Sequence, residues 1–166
     1  MVDKKYIATN RDVSREELDE FIRPRHHGVL LTRRSDGWPQ SSLVSMGLDE
    51  SSGAVGDTDG GRIVVSSYPE RAKVHNLRRD PRASMVVQSD DWNGEWVQVD
   101  GTAEVIDLPD ALDGLCEYFR VISGEHPDWD EYRAAMTAQG KCLIRITIER
   151  WGPIAKGGFP ARLADD

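Results

Sequence analysis

Two hydrophobic periods run through this chain, and the places where one gives way to the other outline its elements. In "KCLIRITIERW" (141–151) apolar residues fall on alternate positions, with Cys142, Ile144, Ile146 and Ile148 on one face of a strand. "EWVQVDGTAEVI" (95–106) repeats the pattern, setting Val97, Val99, Ala103 and Val105 against Trp96, Gln98, Asp100, Thr102 and Glu104. Trp96 is therefore a large aromatic on an otherwise polar face, and Gly101 predicts a bulge. Four shorter runs also read as strands: 26–34, 40–48, 62–67 and 82–89. "SDGWP" (35–39) and "SDDWNG" (89–94) read as turns. The segment 49–61 is a Gly/Asp/Ser loop without periodicity.

Helical spacing replaces alternation in four places. Ser14 with Glu17 three residues on is the capping-box spacing ahead of "REELDEFI". Pro69 suits the first turn of a second helix, which Asp80-Pro81 closes. Leu112, Leu115, Phe119 and Ile122 mark a third, and Trp129, Tyr132 and Met136 a fourth, all as packing residues. The segment after Trp151 reads as loop. Six strands in mostly consecutive, hairpin-like order predict a mainly β (α+β) fold, a six-stranded antiparallel sheet curling into a barrel with short flanking helices. Repeated strand–helix alternation, a GxGxxG fingerprint and a P-loop are all absent from the sequence. The expected organisation is one domain over 14–156, with a flexible N-terminal tail (1–13) and a C-terminal tail (157–166).

Composition narrows the function. With 166 residues and a net charge of −8, the chain lacks the overall basic character that phosphate-backbone binding needs, so nucleic acid is not the expected partner. No apolar run approaches the ~18 residues of a membrane span, and the first residues lack the apolar core of a signal peptide. Cys116 and Cys142 share no metal-ligand spacing, a usage that fits a reducing cytoplasm. His26 and His27 are adjacent on a strand and so point to opposite sides, which makes them a poor metal pair; no metal is expected.

One stretch departs from the acidic background. "YPERAKVHNLRRDPR" (68–82) holds five Lys/Arg against two Asp/Glu, so its +3 leaves −11 on the rest of the chain. A strand ending in Ser66-Ser67 runs into a helix whose first turns carry Arg71 and Lys73, with Asn76 three residues on. Helix N-termini present open N–H groups and partial positive charge, and these residues add cations and hydroxyls, the chemistry of a phosphate cradle. The plainer reading of the same residues is a solvated amphipathic helix paired with nearby carboxylates.

Local strings add a family resemblance. "SSYPERAK" resembles the Tyr-x-Ser-Arg-Lys phosphate string of the flavin enzymes in the pyridoxamine-phosphate-oxidase-like split β-barrel family. "WVQVDGTAE" resembles that family's later strand, with Trp96 where the flavin enzymes have Gln. Arg71–Ser84 and Gly124–Met136 are similar to strings of its actinobacterial flavin/deazaflavin oxidoreductase branch, and the resemblance spans roughly residues 15 to 155. It implies a homodimer with the cofactor between subunits, and a cofactor phosphate at Ser66, Ser67, Arg71, Lys73 and Asn76. Trp96 would stand near the ring or the dimer interface, and small residues at Ser42, Val44 and Ser45 would let a flat tricyclic ring lie along the strand. Two departures shape the reading. Ser42 and Gly47 stand near the positions where FMN enzymes carry Arg and Lys, and "ARLADD" has Ala164 and Asp166 where the B6 oxidases have His and Arg. The resemblance therefore implies coenzyme F420, with FMN as alternative. The reaction would be hydride transfer to a small organic acceptor, by an enzyme that needs no side-chain nucleophile. A cofactor-binding protein without turnover remains the non-enzymatic alternative.

Overall fold

The alternating segments assemble into a single antiparallel sheet that bends back on itself. The structure, a computed structural model, describes residues 1–51 and 60–164, so the middle of the predicted loop 49–61 lies outside the described residues. In chain order the elements are β1 (Thr9–Arg11), α1 (Arg15–Ile22), β2 (His27–Arg33), β3 (Pro39–Ser45), β4 (Gly47–Asp49), β5 (Arg62–Ser67) and α2 (Ala72–Arg79). There follow β6 (Arg82–Gln88), β7 (Trp96–Ile106), α3 (Ala111–Ser123), α4 (Trp129–Gln139), β8 (Cys142–Trp151) and β9 (Ile154–Lys156). Neighbours run β3-β2-β6-β7-β8-β5-β4.

The two ends of that path, β3 and β4, are consecutive in the chain and separated only by Met46. One segment thus serves as partner to β2 through β3 and to β5 through β4, which closes the sheet into a barrel split at the bend. The bend is stitched by His26, whose carbonyl accepts from the Met46 N–H at 3.0 Å and whose Nδ1 lies 3.1 Å from the Met46 carbonyl.

The described residues hold nine strands rather than six. The predicted strand 40–48 is divided at the bend; the predicted N-terminal tail contributes β1 and the segment read as loop after Trp151 contributes β9, and the two pair with each other. Strands of three residues are too short to show a period, which is why alternation missed them. Among the described residues no helix is long and apolar enough to cross a membrane.

Inside the barrel, Leu30, Met46, Val65, Met85, Val97, Val99, Ile144 and Ile146 form the core, joined by Leu18, Phe21 and Ile22 of α1 and by Val74 and Leu77 of α2. α1 is held by the predicted capping box: Ser14 Oγ accepts from the Glu17 N–H and Glu17 Oε2 from the Ser14 N–H. A second apolar layer lies outside, where Ala111, Leu115 and Cys116 of α3 and Tyr132 of α4 cover Val64 of β5 and Leu143 of β8. Burial on both faces explains why Ile63, Val64 and Val65 of β5 and Cys142, Leu143 and Ile144 of β8 are apolar in succession. Gly114 permits this layer, since a Cβ there would meet Leu143 Cδ2 at 2.4 Å. At the predicted bulge the β7–β8 register shifts between Asp100 and Gly101, and a Cβ at Gly101 would stand 1.9 Å from the Thr147 carbonyl oxygen.

Candidate functional site

Where the barrel splits, two strand edges part company. Beyond Val64, β5 pairs only with β8, through Val65, Ser66 and Ser67, while β3 turns away to β2. Val44 and Ser45 therefore lie on one lip of the split and Ser66 and Ser67 on the other, with β3 adjoining β5. Ser42 and Val44 sit opposite the buried Leu30 and Gly28, and the Ser42 hydroxyl accepts from Gln40 Nε2 at 2.9 Å. Ser45 is on the outer face opposite His27 and, with Val44, Leu43 and Gln88, lines a shallow cleft of about 290 Å³.

β5 runs directly into the basic corner. The chain turns at Tyr68–Glu70, and Pro69 precedes α2 rather than opening it; Arg71 is the N-cap and Lys73 lies in the first turn. Ser14 and Asp128 cap α1 and α4 through their side chains, whereas no side chain caps α2; the Val74 N–H donates to the Arg71 carbonyl, which leaves the Ala72 and Lys73 N–H groups open. Arg71 is exposed. Lys73 is half-buried and its amine is pushed below the usual lysine range, first by burial and then by the Arg71 charge. Among the described residues neither cation forms an ion pair. At the other end of α2, Arg78 holds Asp107 through both carboxylate oxygens, Arg79 donates to the Arg33 carbonyl and to Asn76 Oδ1, and Arg82 of β6 holds Asp80.

The two predicted serines face different ways. Ser67 is 4% exposed, on the barrel-interior side with Ile63 and Val65, and its Oγ is a buried polar atom without a protein partner. Ser66 is half-buried on the other side of the strand. An orphaned hydroxyl at the end of β5, four residues before Arg71 and the uncapped start of α2, fits a bound oxyanion.

Other predicted residues fall elsewhere. Asn76 does not join the corner: it is buried, its Nδ2 donates to Thr32 Oγ1 at 3.0 Å and its Oδ1 accepts from Arg79 at 3.0 Å, so it ties α2 to β2. Trp96 opens β7 at the end far from the corner. Ile106, at the opposite end of β7, pairs with Leu143, which pairs with Ser66. About 30 Å of strand at the usual rise per residue therefore separates Trp96 from the basic corner. Trp96 is 41% exposed on the outer face and, with Trp151, Pro153, Gln98 and Asn10, lines a cleft of about 500 Å³. A single chain does not bring Trp96 and the corner to one small molecule.

Sequence reasoning missed two residues of the corner. The Tyr68 ring lies under Lys141 Nζ, 3.9 Å from its centroid, and near the Arg71 guanidinium at 5.8 Å. Lys141 is there because Cys142, the next residue, pairs with Ser67 across β5 and β8, a pairing that no local string announces.

No side-chain nucleophile emerges. Burial pushes the Cys142 thiol up to about 11 and the Cys116 thiol above its ordinary range, so both stay protonated near neutrality. Among the described residues no group of three or more His, Cys, Asp or Glu could hold a metal ion.

Similar chains share this architecture. A conserved hypothetical protein of Mycobacterium tuberculosis superposes with a TM-score of 0.66 at 21% identity, over 93% of this chain and 89% of that one. The heme storage protein HutZ of Vibrio cholerae gives 0.60 at 16%, over 86% and 95%. A structure described as an F420 reductase gives 0.56 at 18%, over 81% and 94%. At these identities the likeness concerns the fold. Residues 14–155 match the family described as pyridoxamine 5'-phosphate oxidase, and the chain, with its split barrel and its basic corner at the split, belongs to that family.

Proposed function

We propose that this chain is an F420-dependent oxidoreductase that transfers hydride from the reduced deazaflavin to a small organic acceptor. The observation that carries the reading is the corner itself, with the buried, unpartnered Ser67 hydroxyl and the unpaired Arg71 and Lys73 beside the open strand edges of the split. Arg71, Lys73, Ser67 and the first N–H groups of α2 hold the phosphate. The β3 lip, with Ser42, Val44 and Ser45, offers small side chains and backbone groups to a flat ring; Ser42 on this lip and Gly47 at the start of β4 stand near the positions where FMN enzymes carry cations. The bound deazaflavin supplies the hydride-donating carbon, which is why no catalytic constellation is required of the protein. The protein's part is to orient the ring against the acceptor and to exclude water. The F420 reductase among the structural neighbours supports this choice of cofactor.

The working unit in this proposal is a homodimer with the cofactor between subunits. Trp96 reaches a cofactor only from a second copy, and the outer face of β3, β2 and β6 presents Leu43, 85% exposed, in one row with Val29 and Val86. The second reading keeps the fold and takes FMN, which the family match favours. Titrating the ligand-free protein with F420 and separately with FMN, followed by tryptophan fluorescence, decides between them. Tight F420 and weak FMN binding is expected, and the reverse result moves the protein to the flavin reading. Binding of neither returns the corner to a solvated surface. Lys73→Ala is expected to weaken F420 binding by about 1–3 kcal/mol, and unchanged affinity would place the phosphate elsewhere. Turnover with a panel of electron-poor acceptors then separates an enzyme from a cofactor-binding protein.

A further inference from the structure

Two cations from different elements converge on the Tyr68 ring: Lys141, directly before β8, and Arg71, at the start of α2. Their distances to one ring centroid, 3.9 and 5.8 Å, keep the two charges within about 10 Å of each other, close to one Debye length at 0.1 M salt. Lys73 adds a third charge, close enough to Arg71 for that guanidinium to depress its amine. Among the described residues none of these three cations has an ion pair. The surrounding carboxylates do not neutralise them: Arg78 takes Asp107, Arg82 takes Asp80, and Glu70 forms no ion pair. In a chain of net charge −8, three cations left together without carboxylate partners mark a place for an anion. A cation over an aromatic ring at a partly exposed site is held more weakly than one making a charge-assisted hydrogen bond, so Lys141 exchanges the ring for an oxyanion readily.

We propose that Lys141 is a second anion-binding position of this corner, so that the ligand held there carries two anionic groups. One is a phosphate at Arg71 and Lys73; the other is a phosphate or carboxylate at Lys141. The inference rests on the part of the proposed function that puts a phosphate at the corner, and it names the class of ligand as a dianionic chain rather than a lone monophosphate. Tyr68 is then the platform across which the two groups are spaced.

Calorimetric titration of the full chain with orthophosphate, pyrophosphate and phosphoglycolate, at one pH and ionic strength, tests this. Pyrophosphate or phosphoglycolate is expected to bind about tenfold more tightly than orthophosphate, the scale of one added charge-assisted contact. Whichever of the two gains identifies the second group as phosphate or carboxylate. Lys141→Met should erase the gain and lower orthophosphate affinity by less than about twofold, the screened effect of one charge at that distance, while Lys141→Arg should keep the gain; circular dichroism melts confirm that both variants fold. Equal affinity for all three anions, no binding of any, or a Lys141→Met loss as large for orthophosphate as for the other two overturns the proposal. Failure of F420 to bind would sink the proposed cofactor and leave these affinities standing. Equal affinities would sink the second position with cofactor binding intact.

Discussion

Replacing Ser67 by Ala should move stability and binding in opposite directions. The Ser67 side chain is 4% exposed, and its Oγ has no protein partner. A hydroxyl buried without a hydrogen bond costs ~1–3 kcal/mol in protein mutational data. Alanine removes that cost and vacates the volume of a single oxygen, so the cavity term is small. Ligand-free Ser67→Ala is therefore expected to be more stable by about 1 kcal/mol, a rise in Tm of roughly 2–4 °C for a chain of this size. Binding should respond the other way. A lost hydrogen bond to a charged group costs about 1.5–3 kcal/mol, which is roughly 10- to 150-fold in Kd. Urea midpoints of the ligand-free wild type and variant give the first quantity, and an F420 titration of each gives the second. A variant less stable than wild type without ligand would show that the hydroxyl is satisfied inside the protein, and the reasoning fails at its first step. A variant that is more stable yet binds equally well would remove Ser67 from the site.

Three other substitutions probe the frame around the corner. Gly101→Ala sets a Cβ 1.9 Å from the Thr147 carbonyl oxygen and should cost about 3 kcal/mol through forced displacement of β8; an unshifted urea midpoint would mean that the bulge moves aside freely. Tyr132→Phe removes the hydroxyl that donates to the Leu115 carbonyl at 3.0 Å and should cost about 1 kcal/mol at neutral pH. Burial pushes the Tyr132 phenol from 10.0 up to about 12, so its contribution is complete below pH 10 and is lost as pH rises toward 12. Wild-type stability should fall across that window, more steeply than that of Tyr132→Phe, and parallel curves would refute the assignment. Leu43→Glu places a charge in the middle of the exposed outer face; light scattering should show a monomer, and an unchanged dimer mass would put the interface elsewhere.

Much of the barrel was legible in the sequence because strands buried on one face must alternate. The face of Val97, Val99, Ala103 and Val105 and the face of Cys142, Ile144, Ile146 and Ile148 turn inward as their period requires, and Gly101 bulges where a side chain would strike Thr147. Local capping chemistry likewise placed α1 within a residue, since Ser14 and Glu17 satisfy each other without help from the rest of the fold. The basic stretch was visible as a local excess of charge.

Only the tertiary structure decided what that charge faces. The division of residues 39–49 into two strands depends on β2 and β5 competing for one segment, a choice that no local period encodes. Asn76 lies at helical spacing from Lys73, yet Thr32, 44 residues earlier in the chain, claims its amide. Lys141 joins the corner only because β8 returns beside β5, and Trp96 leaves it because β7 carries it to the other end of the sheet. Side-chain type and period are fixed by covalent neighbours and can be read along the chain; a site is fixed by which strands lie side by side, and that is settled by closing the barrel over its core.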